Sequence, residues 1–366
     1  MCEKKFISGS GQSVRDSILK LSVNDYKEVL DFYIEKISKK TSIRSIYQAG
    51  RCNTSGFSDI DLIIVTGEDF SISHHRRIMD ASDARVKYLF VHNPVFCTEL
   101  LFKKLQYWYT VSEIKHLYGE SLEIDYLSET NPNHILKINN WFITKIPRCF
   151  WRSKLADVGD VRTMLNHMYS FRHTVNLIKP FLGMSYDKWD DMIDVVSKMR
   201  NDWFELGPTK YSCLIQCLSE VIALSYEMME KWAEFIQSYF NIQYMKEKYG
   251  EIIYGGYNTN IVFSSDWAIP EAVRYTPEEY RKFSSLVINL PSVMAFPLMN
   301  YSKKEPSLIG KYIKKKLFVN RIEFIASHDN DMFFNHLEIL DDYLNYQGQI
   351  GNPYAEIIYT LGAKAT

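Results

Sequence analysis

The segment Asp59–Val65, with the sequence DIDLIIV, constrains the fold of this 366-residue chain more than any other segment. Its last four residues are all apolar, which is typical of a β-strand that is covered on both faces. Its first three residues alternate, so Asp59 and Asp61 point to the same side of the strand. Two carboxylates at that spacing repel each other unless a cation lies between them. The segment therefore predicts an interior strand that begins at a cation site.

A second predicted strand and a glycine-containing loop precede this segment. Residues 43–49 are β-branched at Ile43 and Ile46 and end at Gly50, which predicts a strand that runs into a turn. The loop that follows is rich in small hydroxyl and amide side chains, so its backbone can approach phosphate groups closely and offer N–H donors. A hard cation such as Mg²⁺ bridges carboxylates to phosphates. A carboxylate pair beside such a loop is the arrangement that phosphoryl or nucleotidyl transfer needs.

The sequence over residues 50–65, GRCNTSGFSDIDLIIV, resembles the core of the DNA polymerase β-like nucleotidyltransferase superfamily. The family pattern is a Gly-Ser or Gly-Gly pair at a strand end, a short variable loop, and then Asp-hydrophobic-Asp-hydrophobic on the next strand. The form SDIDLI is similar to that of the bacterial aminoglycoside-type branch. The resemblance implies that Asp59 and Asp61 hold Mg²⁺ or Mn²⁺ against a nucleoside triphosphate, expected to be ATP. The implied reaction moves a nucleoside monophosphate to an acceptor hydroxyl and releases pyrophosphate.

The candidate nucleotide-binding residues come from the same loop and from one later helix. Arg51 stands where family members carry a phosphate-binding serine. A guanidinium can hold a phosphate as an ion pair, whereas a changed loop also fits an altered donor or an inactive relative. Hydroxyl groups further along the loop can replace the lost serine, and relatives often place nucleotide contacts in the first helix of the bundle. The predicted nucleotide-binding set is Gly50, Arg51, Thr54, Ser55, Ser58 and Arg172.

A third carboxylate is expected on a later strand, because active members of the superfamily use one as a metal ligand or general base. Residues 86–91 and 95–102 are predicted as two strands joined by a turn. Glu99 lies within the second, and an acid in an apolar strand is costly to bury without a partner. Glu99 is therefore the candidate third catalytic residue and metal ligand. The alternatives are a solvated sheet face or an ion pair with Lys87 across the hairpin.

The remainder of the chain is predicted to be mainly helical. Apolar residues recur at three- and four-residue spacing over 161–179, 186–204 and 212–240, which predicts a helical bundle. Short apolar runs after Lys248 precede a further stretch with helical character. The predicted fold is α/β plus α. It comprises a small mixed β-sheet catalytic domain at 1–125, a helical bundle domain at 126–247, and a mostly helical C-terminal domain or extension at 248–366.

Composition and charge limit the partners. The net charge of −1, from 43 basic and 44 acidic residues, argues against a broadly basic surface, so a nucleic acid is the less favoured acceptor. The resemblance favours a small hydroxylated acceptor. No run of ~20 apolar residues is present, so no membrane span is expected. The six scattered cysteines favour reduced thiols in a cytoplasmic protein.

Two other functions compete with this interpretation. One is a nucleotidyltransferase fold that has lost turnover and serves in binding or as a scaffold. The other is a synthase of nucleotide second messengers, in which a second nucleotide supplies the acceptor hydroxyl.

Overall fold

The computed structural model describes residues 4–7, 13–39, 42–52, 54–109, 113–131, 134–135, 138, 158–183, 187–239, 242–248, 251–256, 259–263, 286–291, 321–326, 339, 342–343 and 346–351. The chain forms two compact units. The first, here called the sheet unit, comprises Ile18–Leu127, Glu338–Glu356 and Ala365–Thr366. The second, the helical unit, comprises Met1–Ser17, Ser128–Leu337 and Ile357–Lys364. The division into three domains at residues 125 and 247 stays a prediction.

Strands and helices occur in both units, which confirms the mixed α/β class in its coarse form. The strands are β1 (Lys4–Ile7), β2 (Ser13–Asp16), β3 (Ile43–Ala49), β4 (Asp61–Thr66), β5 (Val95–Cys97), β6 (Ile114–Gly119), β7 (Val158–Asp160), β8 (Ile242–Lys248), β9 (Glu251–Gly256), β10 (Thr259–Phe263), β11 (Leu286–Pro291) and β12 (Arg321–Ala326). The helices are α1 (Val23–Ser38), α2 (Ser73–Ala81), α3 (Ala84–Leu89), α4 (Glu99–Lys103), α5 (Leu105–Trp108), α6 (Val161–Tyr169), α7 (Phe171–Leu182), α8 (Asp187–Asn201) and α9 (Lys210–Tyr239).

A four-stranded mixed sheet forms the centre of the sheet unit, in the order β5-β4-β3-β6. Strand β3 runs antiparallel to both β4 and β6, and β4 runs parallel to β5. Strand β4 is buried from its second residue onward, because it is apolar on both sides and has neighbours on both edges. The interior strand predicted from DIDLIIV is confirmed, but it starts at Asp61, so Asp59 lies before the strand.

Helix α1 packs against β3, α2 and α3. It begins at a capping box, in which the Ser22 hydroxyl accepts from the Asp25 N–H and the Asp25 carboxylate accepts from the Ser22 N–H. Its buried residues recur at helical spacing: Tyr26, Val29, Tyr33 and Ile37. The helix starts at Val23, whereas Ser13–Asp16, earlier in the chain, forms strand β2.

A segment near the C-terminus belongs to the sheet unit. Its buried residues recur every three or four positions, as on one face of a helix: Ile339, Tyr343, Tyr346 and Ile350. The Tyr346 hydroxyl bonds the Thr66 hydroxyl at the end of β4, and the Gln347 side-chain amide donates to the Phe96 carbonyl of β5 at 2.7 Å. Residues far apart in sequence therefore complete the core beside β4 and β5.

The helical unit contains the bundle predicted from apolar spacing, as helices α6 to α9. Strand β2 of this unit is held by a polar network centred on Asp16. The Asp16 carboxylate accepts from the Trp203 indole N–H at 3.2 Å and from the Tyr211 hydroxyl at 3.0 Å, and Lys210 Nζ lies 3.4 Å away. None of the helices in the described part of the chain is both long and apolar enough to span a membrane.

The hairpin predicted over 86–102 is wrong, because side-chain caps start helices there. The Asp83 carboxylate accepts from the backbone N–H groups of Arg85 and Val86, at 2.8 and 2.9 Å, and opens α3. The Thr98 hydroxyl accepts from the Leu101 N–H at 3.3 Å and opens α4. Such caps satisfy donors that a helix leaves free at its first turn. Only Val95–Cys97 remains extended.

The C-terminal third is not mostly helical in its described residues. Strands β8, β9 and β10 form one antiparallel sheet, and β11 pairs with β12 in another. The sequence of β12, RIEFIA, alternates polar and apolar residues at its start, which is the period of a strand. Adjacent β-branched residues in β9 and β10 also favour the extended conformation.

Replacing Gln347 with alanine is expected to lower the free energy of unfolding by about 1–3 kcal/mol, because the buried Phe96 carbonyl loses its donor. The measurement is urea denaturation followed by fluorescence. Gln349→Ala is the matched control, since Gln349 is exposed on the same helical segment, and a surface change of this kind shifts stability by less than about 0.5 kcal/mol. Equal stability of the two variants would contradict the docking of this segment on the sheet.

Candidate functional site

The carboxylates of Asp59 and Asp61 lie at one end of the sheet, beside the turn at Gly50. Asp61 is the first residue of β4 and pairs with Ala49, the last residue of β3. Asp59 lies just before the strand, and the intervening Ile60 N–H donates to the Leu89 carbonyl at 2.9 Å. Both aspartates are half-buried, whereas Ile60 is buried. The structure therefore brings the predicted carboxylate pair and the predicted glycine turn together.

The loop between β3 and β4 is held by the hydroxyl of Tyr26 in α1. This hydroxyl accepts from the Gly56 N–H at 3.1 Å, and it lies within donating distance of the carbonyls of Thr54 and Ser58, at 3.2 and 3.0 Å. Tyr26 is buried, so these bonds are shielded from water. One side chain thus sets the course of the backbone over residues 54–58.

Gly56 has a positive φ of 75° and approaches the chain that precedes α1 very closely. A Cβ at this position would lie 2.1 Å from the Leu19 carbonyl oxygen. The Gly56 carbonyl in turn accepts from the Tyr88 hydroxyl at 2.6 Å, and that hydroxyl accepts from the Leu19 N–H at 3.2 Å. Only glycine fits this position.

The hydroxyl groups of the loop make hydrogen bonds within the protein. The Ser55 hydroxyl donates to the Leu21 carbonyl and accepts from the Leu21 N–H. The Ser58 hydroxyl accepts from the Thr54 N–H at 3.1 Å, and both Thr54 and Ser58 are buried. Contact between Ser55 and a phosphate would require the loss of these bonds to Leu21. The nucleotide-binding roles of Thr54, Ser55 and Ser58 stay predictions.

Gly50 and Arg51 occupy the turn where β3 ends. Gly50 has a φ of 73°, and nothing lies within 4 Å of the place where a Cβ would be, so there is space beside its backbone. Its N–H donates to the Glu113 carbonyl at 2.9 Å and therefore does not point into that space. The exposed Arg51 guanidinium forms an ion pair with the Glu113 carboxylate, which raises the pKa of Arg51.

Cys52 connects this turn to the carboxylate pair. Its thiol donates to the Asp59 carbonyl at 3.1 Å and accepts from the Gln48 side-chain amide at 3.2 Å. Burial raises the pKa of Cys52, and the charges of Asp59 and Asp61 add to the effect, which brings it to about 12. The thiol therefore stays protonated at neutral pH.

The structure does not bring Glu99 to Asp59 and Asp61. Glu99 is the first residue of α4 rather than part of a strand, and its carboxylate forms an ion pair with Arg44 near the start of β3. In the parallel pairing of β4 with β5, Cys97 is level with Val65, which lies about 13 Å along the strand from Asp61. The prediction that Glu99 lies on a strand as a third ligand of this site is therefore corrected.

Arg172 lies in helix α7 of the helical unit. Its guanidinium lies over the ring of Tyr169, with Cζ 3.8 Å from the ring centroid, and it bonds the Tyr169 hydroxyl. The guanidinium of Arg200 also lies 3.8 Å from that centroid. Burial lowers the pKa of Arg172. The role of Arg172 in nucleotide binding stays a prediction.

Glu113 is the residue at this end of the sheet that sequence reasoning missed. It immediately precedes β6, whose first residue, Ile114, pairs with Ala49 of β3. Glu113 lies between two segments without a strong pattern, so its position follows only from the pairing of β6 with β3. The sequence carried one usable signal: Ile114–Gly119 contains a short run that can pair with the edge of β3.

The oxygen donors at this end fit a hard divalent cation such as Mg²⁺ or Mn²⁺. Asp59 and Asp61 supply carboxylate oxygens, and magnesium is commonly bound through one or two carboxylates plus water and substrate phosphates. No group of three or more His, Cys, Asp or Glu side chains that could hold a metal is found within the residues that the structure describes. Asp59 and Asp61 are thus the two described carboxylates that this end of the sheet offers to such a site.

Comparison of the chain with family models, with curated proteins and with solved structures found no match.

Gly56→Ala is expected to lower the free energy of unfolding by at least about 3 kcal/mol, because it adds a backbone clash to the strain of a positive φ. Gly50→Ala is the matched control. It has nearly the same φ but open space around the new methyl group, so its expected cost is only about 1 kcal/mol. Chemical denaturation of both variants measures the difference. A Gly56→Ala variant as stable as Gly50→Ala would show that the loop does not approach Leu19 as described.

Proposed function

We propose that this chain is a metal-dependent nucleotidyltransferase that uses ATP and a small hydroxylated acceptor. The observation that carries the proposal is the pair of half-buried carboxylates, Asp59 and Asp61, at the start of β4, beside a glycine turn with open space. The resemblance of residues 50–65 to the polymerase β-like superfamily supports the same function. The proposed location of the protein is the cytoplasm.

In the proposed reaction, the acceptor hydroxyl oxygen forms a bond to the α-phosphorus of the triphosphate. The bond from that phosphorus to the bridging oxygen breaks, pyrophosphate leaves, and the hydroxyl proton is released. Asp59 and Asp61 hold Mg²⁺ or Mn²⁺, which when bound stabilises negative charge on the phosphate oxygens. The hydrogen bonds of Tyr26 to Gly56 and Ser58 hold the backbone of the loop just before Asp59, so the course of the chain into the carboxylate pair is set before the substrate arrives.

A second candidate function is nucleotide binding without turnover. It is favoured by the position of Glu99, which is paired with Arg44 at the opposite end of the sheet and leaves two aspartates as the described ligands. A third candidate differs only in the acceptor: with a second nucleotide in that place, the product would be a nucleotide second messenger. Nucleic acid is a less favoured acceptor because the chain carries no net positive charge.

The test is pyrophosphate release from each nucleoside triphosphate with Mg²⁺ or Mn²⁺, first without and then with hydroxylated acceptors. Asp59→Ala and Asp61→Ala are each expected to lower the rate by about a thousandfold or more, since each removes a metal ligand. Glu99→Gln is the matched control and is expected to keep the rate, because Glu99 pairs with Arg44 away from the site. Product formed without an added acceptor would identify the second-messenger reaction.

Two results would contradict the proposed enzyme. Full turnover in folded Asp59→Ala and Asp61→Ala variants would place the chemistry elsewhere. Metal-dependent binding of ATP by the wild-type protein, with no pyrophosphate release across the acceptor panel, would favour the binding function instead. Circular dichroism of each variant checks that it is folded.

A further inference from the structure

The ion pair between Arg51 and Glu113 lies across the turn at the end of β3. The Arg51 Nε–H donates to the Glu113 carboxylate, and the Glu113 carbonyl accepts from the neighbouring Gly50 N–H at 2.9 Å. The backbone bond holds Glu113 in place as the continuation of the β3–β6 pairing, while the side-chain bond joins two flexible, exposed groups. The backbone contact can therefore persist when the side-chain contact breaks.

The Arg51–Glu113 pair is weak enough to exchange for another anion. The two side chains are 67% and 46% exposed, so water screens their attraction. Exposed pairs of this kind contribute little to stability, whereas guanidinium groups bind phosphate oxygens through short, charge-assisted hydrogen bonds. An anion with several charges would compete well with a single carboxylate for Arg51.

Arg51 directly follows the Gly50 turn and presents an exposed guanidinium there, whereas other polar groups of the loop are already bonded within the protein. Gly50, the preceding residue, has open space beside its backbone, but its N–H is bonded to Glu113. The Ser55 hydroxyl accepts from the Leu21 N–H and donates to the Leu21 carbonyl. The carboxylates of Asp59 and Asp61 add negative charge to the same end of the sheet. A bound triphosphate thus needs a positive group here besides the metal.

Glu113 is separated from the carboxylate pair by β3. Strands β4 and β6 flank β3, so the level of Asp61 and that of Ile114 lie about 10 Å apart across the sheet. At that separation the Glu113 carboxylate holds the Arg51 guanidinium on the β6 side of the turn. Its position suits a competitor for Arg51 better than a third ligand of the same metal.

We propose that a nucleoside triphosphate replaces Glu113 as the partner of Arg51. When the nucleotide binds, the Arg51 guanidinium leaves the Glu113 carboxylate and binds the polyphosphate chain. This inference rests on the nucleotidyltransferase function proposed above. It assigns Arg51 as a nucleotide-binding residue in the position of the family serine, and Glu113 as the residue that sets the affinity of Arg51 for phosphate. Glu113 lowers nucleotide affinity, because its ion pair with Arg51 must break first.

The test is the affinity for ATP with Mg²⁺, measured by isothermal titration calorimetry, together with the affinity for inorganic tripolyphosphate. Glu113→Gln is expected to tighten binding of both by about two- to fivefold, the size of one exposed ion pair. Arg51→Met is expected to weaken both by about tenfold, the size of one charge-assisted hydrogen bond. In the double variant with Arg51→Met and Glu113→Gln, the second substitution is expected to give no gain in affinity. The reason is that Arg51, the residue that Glu113 restrains, is absent.

Glu99→Gln is the matched control for Glu113→Gln. It removes the same charge from a similar exposed arginine pair on the same sheet, at the end near Arg44. It is expected to leave both affinities unchanged. If it tightens binding as much as Glu113→Gln does, the effect comes from net charge and the exchange is overturned. Thermal melting of each variant checks the fold, and Glu113→Ala replaces Glu113→Gln if the latter does not fold.

The remaining outcomes separate this inference from the proposed function. If Asp59→Ala and Asp61→Ala abolish pyrophosphate release but Glu113→Gln weakens ATP binding or leaves it unchanged, the enzyme assignment stands and the exchange is wrong. If Arg51→Met binds tripolyphosphate as well as the wild-type protein does, the exchange is also wrong. If the wild-type protein binds neither ATP nor tripolyphosphate, both proposals fail together.

Discussion

The hydrogen bonds of the Tyr26 hydroxyl are the interaction on which the candidate site depends. A buried hydroxyl without partners would be costly, so it is matched with the backbone of the loop, at Thr54, Gly56 and Ser58. Because Tyr26 lies in the first turn of α1, these bonds join the helix to the loop that precedes Asp59. The direction in which β4 enters the sheet, and hence the position of Asp61, follows from that connection.

The sheet carries charge at both of its ends, and the two ends differ in what they can do. At one end, Asp59 and Asp61 lie beside the turn that carries the Arg51–Glu113 ion pair. At the other end, Arg44 forms ion pairs with both Glu99 and Glu120. Half-buried carboxylates beside a turn with open space suit a cation, whereas exposed acids that share an arginine suit a structural role.

Much of the fold was predictable from local pattern, and the failures have one common cause. The interior strand after Asp61 and the bundle helices follow from apolar periodicity, which directly reports burial on one face or both. Residues 86–91 and 95–102 were predicted as strands, yet the caps at Asp83 and Thr98 start helices at Ala84 and Glu99. A cap is a single hydrogen-bonded residue, so it leaves little trace in a periodic pattern. Glu99 was misplaced for this reason.

The sequence by itself determined that Asp59 and Asp61 lie at the start of a buried strand, because their spacing and the apolar run after them are local properties. That Glu113, and not Glu99, lies at the same end of the sheet as this pair was decided only by the tertiary structure. It depends on the antiparallel pairing of β6 with β3, whose paired residues lie about seventy positions apart in the sequence. Strand pairing over such a distance is selected by backbone hydrogen bonds and packing of the whole sheet. No short motif encodes this pairing. The ion pair between Arg51 and Glu113 forms only when the sheet has formed.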